Sequence, residues 1–328
     1  MKQRIMGLLA AAVLPCAVMS TALATEAVGN YPDKPIHIIV PYPPGGSTDI
    51  LARALGQSIG ESLNQSVIVE NRPGASGNIG ASFVAKSPAD GYTLFLGTST
   101  ALSVNPSLYA QLPYDPVKDF APIVLATQLP SLVVTTNSLP VHSMQELTDY
   151  LKQSKTAVNY ASSGNGTPAH LGGELYKRMA GVNANHVPYK GGAPALTDLV
   201  GGQTSYMFAI LPEAMPLVKG GQLRALAVTT AQRLSAYPDL PTVAESGVPG
   251  YELIGWYAFL APAGTPKPIV DKLNTAFNKG LQDPGVRRKL MDMGFEIAGG
   301  PPEKLSDMMR SERTKWKQVI DAANIRIE

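Results

Sequence analysis

The stretch IVPYPPGGSTDILARALGQSI (residues 39–59) decides the fold, because it joins an apolar strand, a glycine turn and a helix. The apolar run predicts a strand over residues 36–40, and Leu51, Leu55 and Ile59 recur every four residues, as on one helix face. Between them lie prolines, glycines, a serine, a threonine and an aspartate, but no lysine or arginine. A strand that turns directly into a helix indicates an α/β protein, and ligands bind at such turns.

The same order of strand, turn and helix continues along the chain. Short apolar runs predict further strands over residues 66–70, 92–96, 123–126, 132–135, 159–161, 185–187, 205–209, 225–228 and 255–260. Helices are predicted over residues 144–153, 172–180 and 193–200, and amphipathic helices fill about the last 60 residues, with Trp316 on their apolar stripe. We therefore expect an α/β fold with at least one mostly parallel sheet, in which any two lobes are joined by strand-like crossings.

The N-terminal residues and the composition limit the class and location of the protein. Residues 1–24 are typical of a secretion signal, since Lys2 and Arg4 precede an apolar run and an alanine-rich cleavage site. A lipid anchor on Cys16 is disfavoured, because Pro15 precedes it. Removal of the signal lowers the formal charge from +2 to 0 and removes the only cysteine. The mature chain therefore gives no support for nucleic-acid binding, and it has no disulfide, thiolate metal site or cysteine nucleophile.

The loop of residues 41–49 fits an anion-binding turn. Glycines let the backbone approach a ligand, and a helix start offers free N–H groups with partial positive charge. A nucleotide loop would need Gly-Lys-Ser/Thr, so the missing lysine argues against a triphosphate, whereas a carboxylate can be held by neutral donors. A plain turn capped by Ser47, Thr48 or Asp49 is the alternative. The stretch AVNYASSGNGTPAHLGGELYKRMAG (residues 157–181) repeats this order and predicts an opposing loop.

Two patterns resemble catalytic or metal sites. Ser99 in GTSTA (residues 97–101) follows a strand, as in a nucleophile elbow, but Asn105-Pro106 interrupts the helix that an elbow requires. None of the four histidines has an obvious acidic partner placed after this serine. His170 and Glu174 lack a third metal ligand, so we expect His170 to act as a cap or a ligand contact. Lys190 is expected at the surface.

Five longer motifs carry a resemblance to a known family. They are VPYPPGGSTDILAR, IVENRPGASGNIGASFVAKSPADGYTLFLGTST, YASSGNGTPAHLGGELYK, VPYKGGAPALTDLVGGQ and GWYAFLAPAGTPKPIVDKLN. In this order they resemble the Bug-type extracytoplasmic solute receptors of tripartite tricarboxylate transporters, over roughly residues 30–328. The resemblance implies a periplasmic location and a two-lobed, type II-like periplasmic-binding-protein fold with a ligand cleft between the lobes. Residues 25–125 and 253–328 would form lobe one, braced by the C-terminal helices, and residues 126–252 would form lobe two.

The resemblance also implies a non-enzymatic receptor, without cofactor or metal, that holds a small organic carboxylate. By position it transfers ligand contacts to Tyr42, Gly45, Gly46, Ser47, Thr48, Thr98, Ser99, Ser162, Ser163, Asn165, Thr167, His170 and Ala209. A further contact segment is MFAILPEA (residues 207–214), in which Ala209 and Ile210 stand where many relatives have Asp or Asn. Because no carboxylate is evident there to meet an ammonium group, an amino-acid ligand is disfavoured, and an aliphatic or aromatic acid is favoured.

The remaining expectations concern partners and mechanism. The receptor would close on its solute by a hinge motion and deliver it to membrane transporter subunits. A monomer is expected. Two other functions stay open: a ligand sensor for a membrane signalling partner, and a secreted serine hydrolase that uses Ser99.

Overall fold

The computed structural model describes residues 29–234 and 236–323, so the signal segment expected over residues 1–24 lies outside the described residues. The strands are β1 (Ile36–Val40), β2 (Val67–Asn71), β3 (Thr93–Thr98), β4 (Phe120–Thr136), β5 (Asn159–Ser162), β6 (Asn185–Pro188), β7 (Tyr206–Ile210), β8 (Leu223–Val228), β9 (Ile254–Pro262) and β10 (Glu296–Ile297). The helices are α1 (Ser47–Leu63), α2 (Asn78–Ala85), α3 (Asn105–Leu108), α4 (Met144–Gln153), α5 (Pro168–Ala180), α6 (Gly192–Val200), α7 (Leu211–Lys219), α8 (Lys267–Gln282), α9 (Pro284–Asp292) and α10 (Pro302–Ala323). A 3₁₀ turn at Ala75–Gly77 and a π-helical turn at Thr100–Val104 complete the helical segments described.

The ten strands form one mixed sheet in the order β2-β1-β3-β9-β4-β7-β5-β6, with β8 and β10 also pairing with β4. Strand β1 is parallel to β2 and β3, and β5 is parallel to β6 and β7. All pairings of β4 and β9 are antiparallel. The α/β class is therefore confirmed, but the expectation of a mostly parallel sheet is wrong, because the chain crosses the middle of the sheet on these two strands.

Strand β4 joins what the sequence presents as two strands, residues 123–126 and 132–135. It is 17 residues long and includes Pro122 and Pro130. The prolines predict a break, since proline cannot donate to a sheet ladder. Here the ladder with β9 shifts register beside Pro122, and Pro130 lies at its end, where the pairing partner changes. Such irregular positions are where a strand accommodates proline.

Strand β4 divides the sheet into two halves, which are defined here by its partners. Residues Phe120–Pro130 pair with β9, and the first half of the sheet comprises this part of β4 with β9, β3, β1 and β2. Residues Ser131–Thr136 pair with β7 and β8, and the second half comprises this part with β7, β5, β6 and β8. The chain thus passes between the halves in extended conformation, as expected.

Each half has apolar cores of its own, and α10 contributes to both halves. Helices α1 and α8 cover one face of the first half, where Phe259 stacks on Phe277 with ring centroids 4.1 Å apart. Leu305 of α10 packs in the core on the other face of the first half. Further along α10, Trp316 and Ile320 pack in a core of the second half. Trp316 is the packing residue that the sequence predicts, but α10 braces both halves rather than lobe one alone. No helix in residues 29–234 or 236–323 has the length and apolarity needed to cross a membrane.

Candidate functional site

The turn between β1 and α1 presents the N-terminus of α1. Gly46 is the N-cap residue and is extended, and no side chain caps the helix there, so the expected capping by Ser47 or Thr48 is wrong. Asp49 holds the turn from inside the helix, since its Oδ2 accepts the Gly45 N–H at 3.1 Å. Gly45 has φ +86°, a conformation that favours glycine. The backbone N–H and hydroxyl of Ser47 therefore remain available for other partners.

The loop between β5 and α5 is fixed from beneath by two stacked histidines. The Gly166 N–H donates to Nδ1 of His170 at 3.0 Å, and Ser162 Oγ lies 2.6 Å from Nε2 of His186. The rings of His170 and His186 stack with centroids 3.9 Å apart. Burial lowers the pKa of His170 to about 4, and burial together with His170 and Lys177 lowers that of His186 to about 3. His170 thus caps this loop, one of the two roles expected of it, and both rings stay neutral near pH 7.

A third turn, between β6 and α6, faces the first one. Gly191 is the N-cap of α6, and a Cβ at Gly191 would lie 3.6 Å from Pro43 of the first turn. The sequence VPYKGG (residues 187–192) repeats VPYPPGG (residues 40–46), a signal that could have found this turn. The starts of α1 and α6 therefore meet across the gap between the two halves.

These turns border a cleft with about 590 Å³ of empty space, a figure that includes the open solvent at its mouth. Its lining residues are Tyr42, Pro43, Pro44, Gly46, Ser47, Thr48, Thr98, Ser99, Thr100, Leu129, Ser163, Thr167, Pro168, Lys190, Gly191, Gly192, Ala193, Pro194, Ile210, Glu213 and Tyr257. Most polar groups in the lining are neutral hydroxyl and amide donors. Thr100 Oγ1 donates to the Gly166 carbonyl across the cleft at 3.3 Å.

The structure brings eight of the thirteen predicted contact residues to this cleft, namely Tyr42, Gly46, Ser47, Thr48, Thr98, Ser99, Ser163 and Thr167. Gly45, Ser162, Asn165, His170 and Ala209 do not line it. Ser162 and His170 lie beneath the loop, where they bond His186 and Gly166. Ala209 points into an apolar core, while its neighbour Ile210 faces the cleft, because successive strand residues face opposite sides.

The contact segment predicted over residues 207–214 contains the acidic residue of the cleft, Glu213 in the first turn of α7, but sequence reasoning overlooked its carboxylate. Its Oε1 accepts the Ser47 N–H at 3.0 Å and the Ser47 hydroxyl at 2.9 Å. Ser47 Oγ also lies 2.7 Å from the Tyr257 hydroxyl, which must donate because the serine proton is already engaged. The argument that no carboxylate is present to meet an ammonium group is therefore wrong.

Burial dominates the electrostatics of this site. It raises the pKa of Glu213, and the hydrogen bonds from Ser47 reduce that rise without cancelling it. Burial also raises the pKa of Tyr42 to about 12, so its hydroxyl stays neutral. Lys190, expected at the surface, is exposed but also lines the rim of the cleft. It is the cationic residue of the lining, and Glu213 is the acidic one.

Ser99 directly follows β3, and in the part of the chain that the structure describes no histidine forms a hydrogen bond with its hydroxyl. A helical segment does follow it, through Thr100–Val104 into α3, so the expected interruption is wrong; Pro106 lies in the first turn of α3, where its missing N–H costs no bond. Ring nitrogens of three histidines have other partners: His37 contacts Glu70, His170 accepts from Gly166, and His186 contacts Ser162. In the described parts of the chain, no three His, Cys, Asp or Glu side chains could together hold a metal ion.

Comparison with known proteins identifies the family. The family model described as "Tripartite tricarboxylate transporter family receptor" matches residues 51–325. The protein BugT of Bordetella pertussis is 36% identical over 311 residues, which cover 93% of this chain and 95% of BugT. The structure of R. palustris Rpa4515 with adipate is 41% identical with a TM-score of 0.88, and the match covers 90% of this chain and all of that one. The structure of the periplasmic binding protein BugD is 35% identical with a TM-score of 0.86, over 90% of this chain and all of that one. The chain therefore belongs to the receptors of the tripartite tricarboxylate transporter family and has the two-lobed fold of a periplasmic binding protein.

Proposed function

We propose that this receptor captures a small organic carboxylate in the cleft between the two halves of its sheet. The observation that carries the proposal is the convergence of neutral donors from both halves: Thr98 and Ser99 face Ser163 and Thr167 across the cleft. Hydroxyl and amide donors hold a carboxylate without the lysine that a nucleotide requires. The adipate bound by the similar R. palustris protein is a ligand of this class.

Capture follows from closure of the two halves around the solute. Strands β4 and β9 are the crossings on which the halves can turn, and a ligand that contacts both halves favours the closed form over the open one. The limits predicted for the lobes, residues 25–125 with 253–328 and residues 126–252, form part of this proposal. Membrane subunits of the transporter would then receive the solute from the periplasmic, monomeric receptor.

The proposed contacts are the predicted residues that line the cleft, except Ser47, whose N–H and hydroxyl donate to Glu213, together with Lys190 and Tyr257. Ser99 serves in this proposal as a hydrogen-bond donor to the solute and not as a nucleophile. The imidazole and serine that do form a pair, His186 and Ser162, are placed beneath the loop, and Ser162 is fully buried. The receptor therefore has no enzymatic activity in this proposal.

Calorimetric titration of the purified protein tests the function. The panel comprises adipate, succinate, citrate, benzoate, malate and aspartate, with glucose as a neutral comparison. We expect at least one carboxylate to bind at a single site, and Ser99→Ala to weaken that binding about tenfold, the effect of losing one hydrogen bond to a charged group. Ser311→Ala is the matched control, because Ser311 is exposed on α10, outside the cleft.

Binding of none of the acids, or an unchanged affinity in Ser99→Ala, would contradict this account. Hydrolysis of an ester by the wild-type protein that is abolished in Ser99→Ala would favour the hydrolase.

A further inference from the structure

Glu213 occupies the anion-binding end of α1. This helix start is where a solute carboxylate would find free N–H donors, yet the Ser47 N–H and hydroxyl both donate to Oε1 of Glu213. The contact crosses the cleft, because α1 packs on the first half of the sheet, whereas α7 directly follows β7 of the second half. A solute carboxylate must therefore bind at other donors of the cleft.

The second oxygen of Glu213 is buried and has no hydrogen-bond partner. Among the residues that the structure describes, no donor reaches Oε2, although this atom is screened from solvent. It lies against Gly192, so closely that an added Cβ would overlap it. A buried carboxylate oxygen without a donor costs free energy, which a group on a ligand can recover. Glu213 lines the cleft, but Oε2 itself is screened from solvent against Gly192, so a solute group would reach this atom only when the Glu213 side chain turns away from Gly192.

The other polar side chains of the cleft can donate hydrogen bonds, whereas this carboxylate oxygen is an acceptor. Lys190 supplies a positive charge at the rim, and Ser99, Ser163 and Thr167 supply hydroxyl groups. The lining thus combines acidic and cationic side chains with neutral donors. A solute that carries both a carboxylate and a donor group matches all three.

We propose that the solute carries, beside its carboxylate, a hydroxyl or ammonium group that donates to Oε2 of Glu213. This inference rests on the proposed function, and it narrows the ligand class to hydroxy acids and amino acids. Glu213 is then the specificity-determining residue of the cleft. A protonated Glu213 would instead donate from Oε2 to a second solute carboxylate, and would favour plain dicarboxylates.

Acids that differ in a single substituent distinguish a Glu213 carboxylate that accepts a hydrogen bond from the solute's hydroxyl or ammonium group from a protonated Glu213 that donates to a second solute carboxylate. Succinate, malate and aspartate differ at one carbon, which carries hydrogen, hydroxyl or ammonium; adipate, 2-hydroxyadipate and 2-aminoadipate form the same series with a longer chain. Calorimetry at pH 7.5 measures each acid with the wild-type protein and with Glu213→Gln. The glutamine keeps an oxygen for Ser47 but places an NH2 group where Oε2 lies, so it cannot accept the ligand's proton.

We expect the wild-type protein to bind a hydroxy or amino acid at least about tenfold tighter than the unsubstituted acid of the same length. In Glu213→Gln this preference should fall at least about tenfold, while the unsubstituted acid keeps or gains affinity. Circular dichroism and thermal unfolding verify that the variant is folded, and Ser311→Ala should retain the wild-type preference.

Each other outcome overturns the inference. Equal or tighter binding of succinate or adipate by the wild-type protein would contradict it while the proposed function stands. A preference that persists unchanged in Glu213→Gln would show that another residue selects the ligand. Binding of no acid in either series or in the wider panel would instead contradict the proposed function itself.

Discussion

Gly192 is the residue at which side-chain size most directly affects the cleft. A Cβ added at Gly192 would overlap Oε2 of Glu213. Gly192→Ala should therefore push the Glu213 side chain away and break the hydrogen bonds between Glu213 and Ser47. We expect a loss of about 1.5–3 kcal/mol in the free energy of unfolding, the usual contribution of hydrogen bonds to a charged group, relative to the control Gly201→Ala. At Gly201 an added Cβ would make only ordinary contacts, the nearest at 3.5 Å. Urea denaturation that gives equal values for both variants would show that the contact contributes nothing.

His170 and His186 should make the stability of the protein sensitive to acid. The pKa of His170 is lowered from 6.5 to about 4 by burial, so below pH 6.5 the unfolded state binds a proton that the folded state does not. The free energy of unfolding should therefore fall as the pH drops from 7 to about 4, by roughly 3 kcal/mol from His170 alone. His186, with its pKa lowered to about 3, acts in the same direction.

Urea denaturation across this pH range measures the effect. His170→Asn keeps an acceptor near the Gly166 N–H but removes the titrating ring, so its stability should depend less on pH than that of the wild type. His142→Asn, a change at an exposed position, should retain the full dependence. Identical pH profiles of His170→Asn and the wild type would contradict the assignment.

The cleft residues show which part of a site the sequence can predict. Loop positions such as Ser99, Ser163 and Thr167 follow from the motifs, because hydroxyl groups at strand ends must be near the surface of an α/β sheet. The direction of each side chain does not follow from the motifs: Ala209, the predicted contact, lies in an apolar core, while its neighbour Ile210 lines the cleft. Glu213 was missed because its role depends on a partner 166 positions away in the chain.

At the scale of elements, the predicted strands and helices agree closely with the structure where their pattern is local. The strand over residues 36–40 and the helix over residues 144–153 have the observed bounds. Strand β4 was divided in two by its prolines, because nothing local shows that its partner changes from β9 to β7 and β8 there. The resemblance assigns helix α10 to one lobe, and the apolar stripe of the helix does not itself show which surfaces it covers.

Helix α10 gives a prediction about stability. Trp316 is 2% exposed and packs in the core of the second half, while Leu305 of the same helix packs in the first half. Trp316→Ala should lower the free energy of unfolding by about 3–5 kcal/mol, the usual cost of truncating a buried large aromatic residue. Gln318→Ala, at an exposed position two residues further along α10, is the control. Equal denaturation midpoints for the two variants would mean that α10 does not support the second half.

At the scale of the whole molecule, solute binding should change the shape of the receptor. Among the described residues, hydrogen bonds across the cleft join Ser47 to Glu213 and Thr100 to Gly166, and we expect these bonds to break and the cleft to open without solute. Small-angle X-ray scattering should show a smaller radius of gyration at saturating ligand than without ligand. Ser99→Ala should show a smaller decrease at the same ligand concentration. An unchanged radius of gyration in the wild type would contradict closure on two halves.

The central claim, that the cleft between the halves binds the carboxylate, is tested most directly by nuclear magnetic resonance of the ¹⁵N-labelled protein. The protein is titrated with the acid that binds most tightly in calorimetry, and backbone amide shifts are followed. The account predicts that the largest shifts occur together in residues 98–100, 163–167 and 191–193, which belong to both halves and surround the cleft. Largest shifts confined to another surface, such as the groove between Ser58 and Asp283, would contradict it.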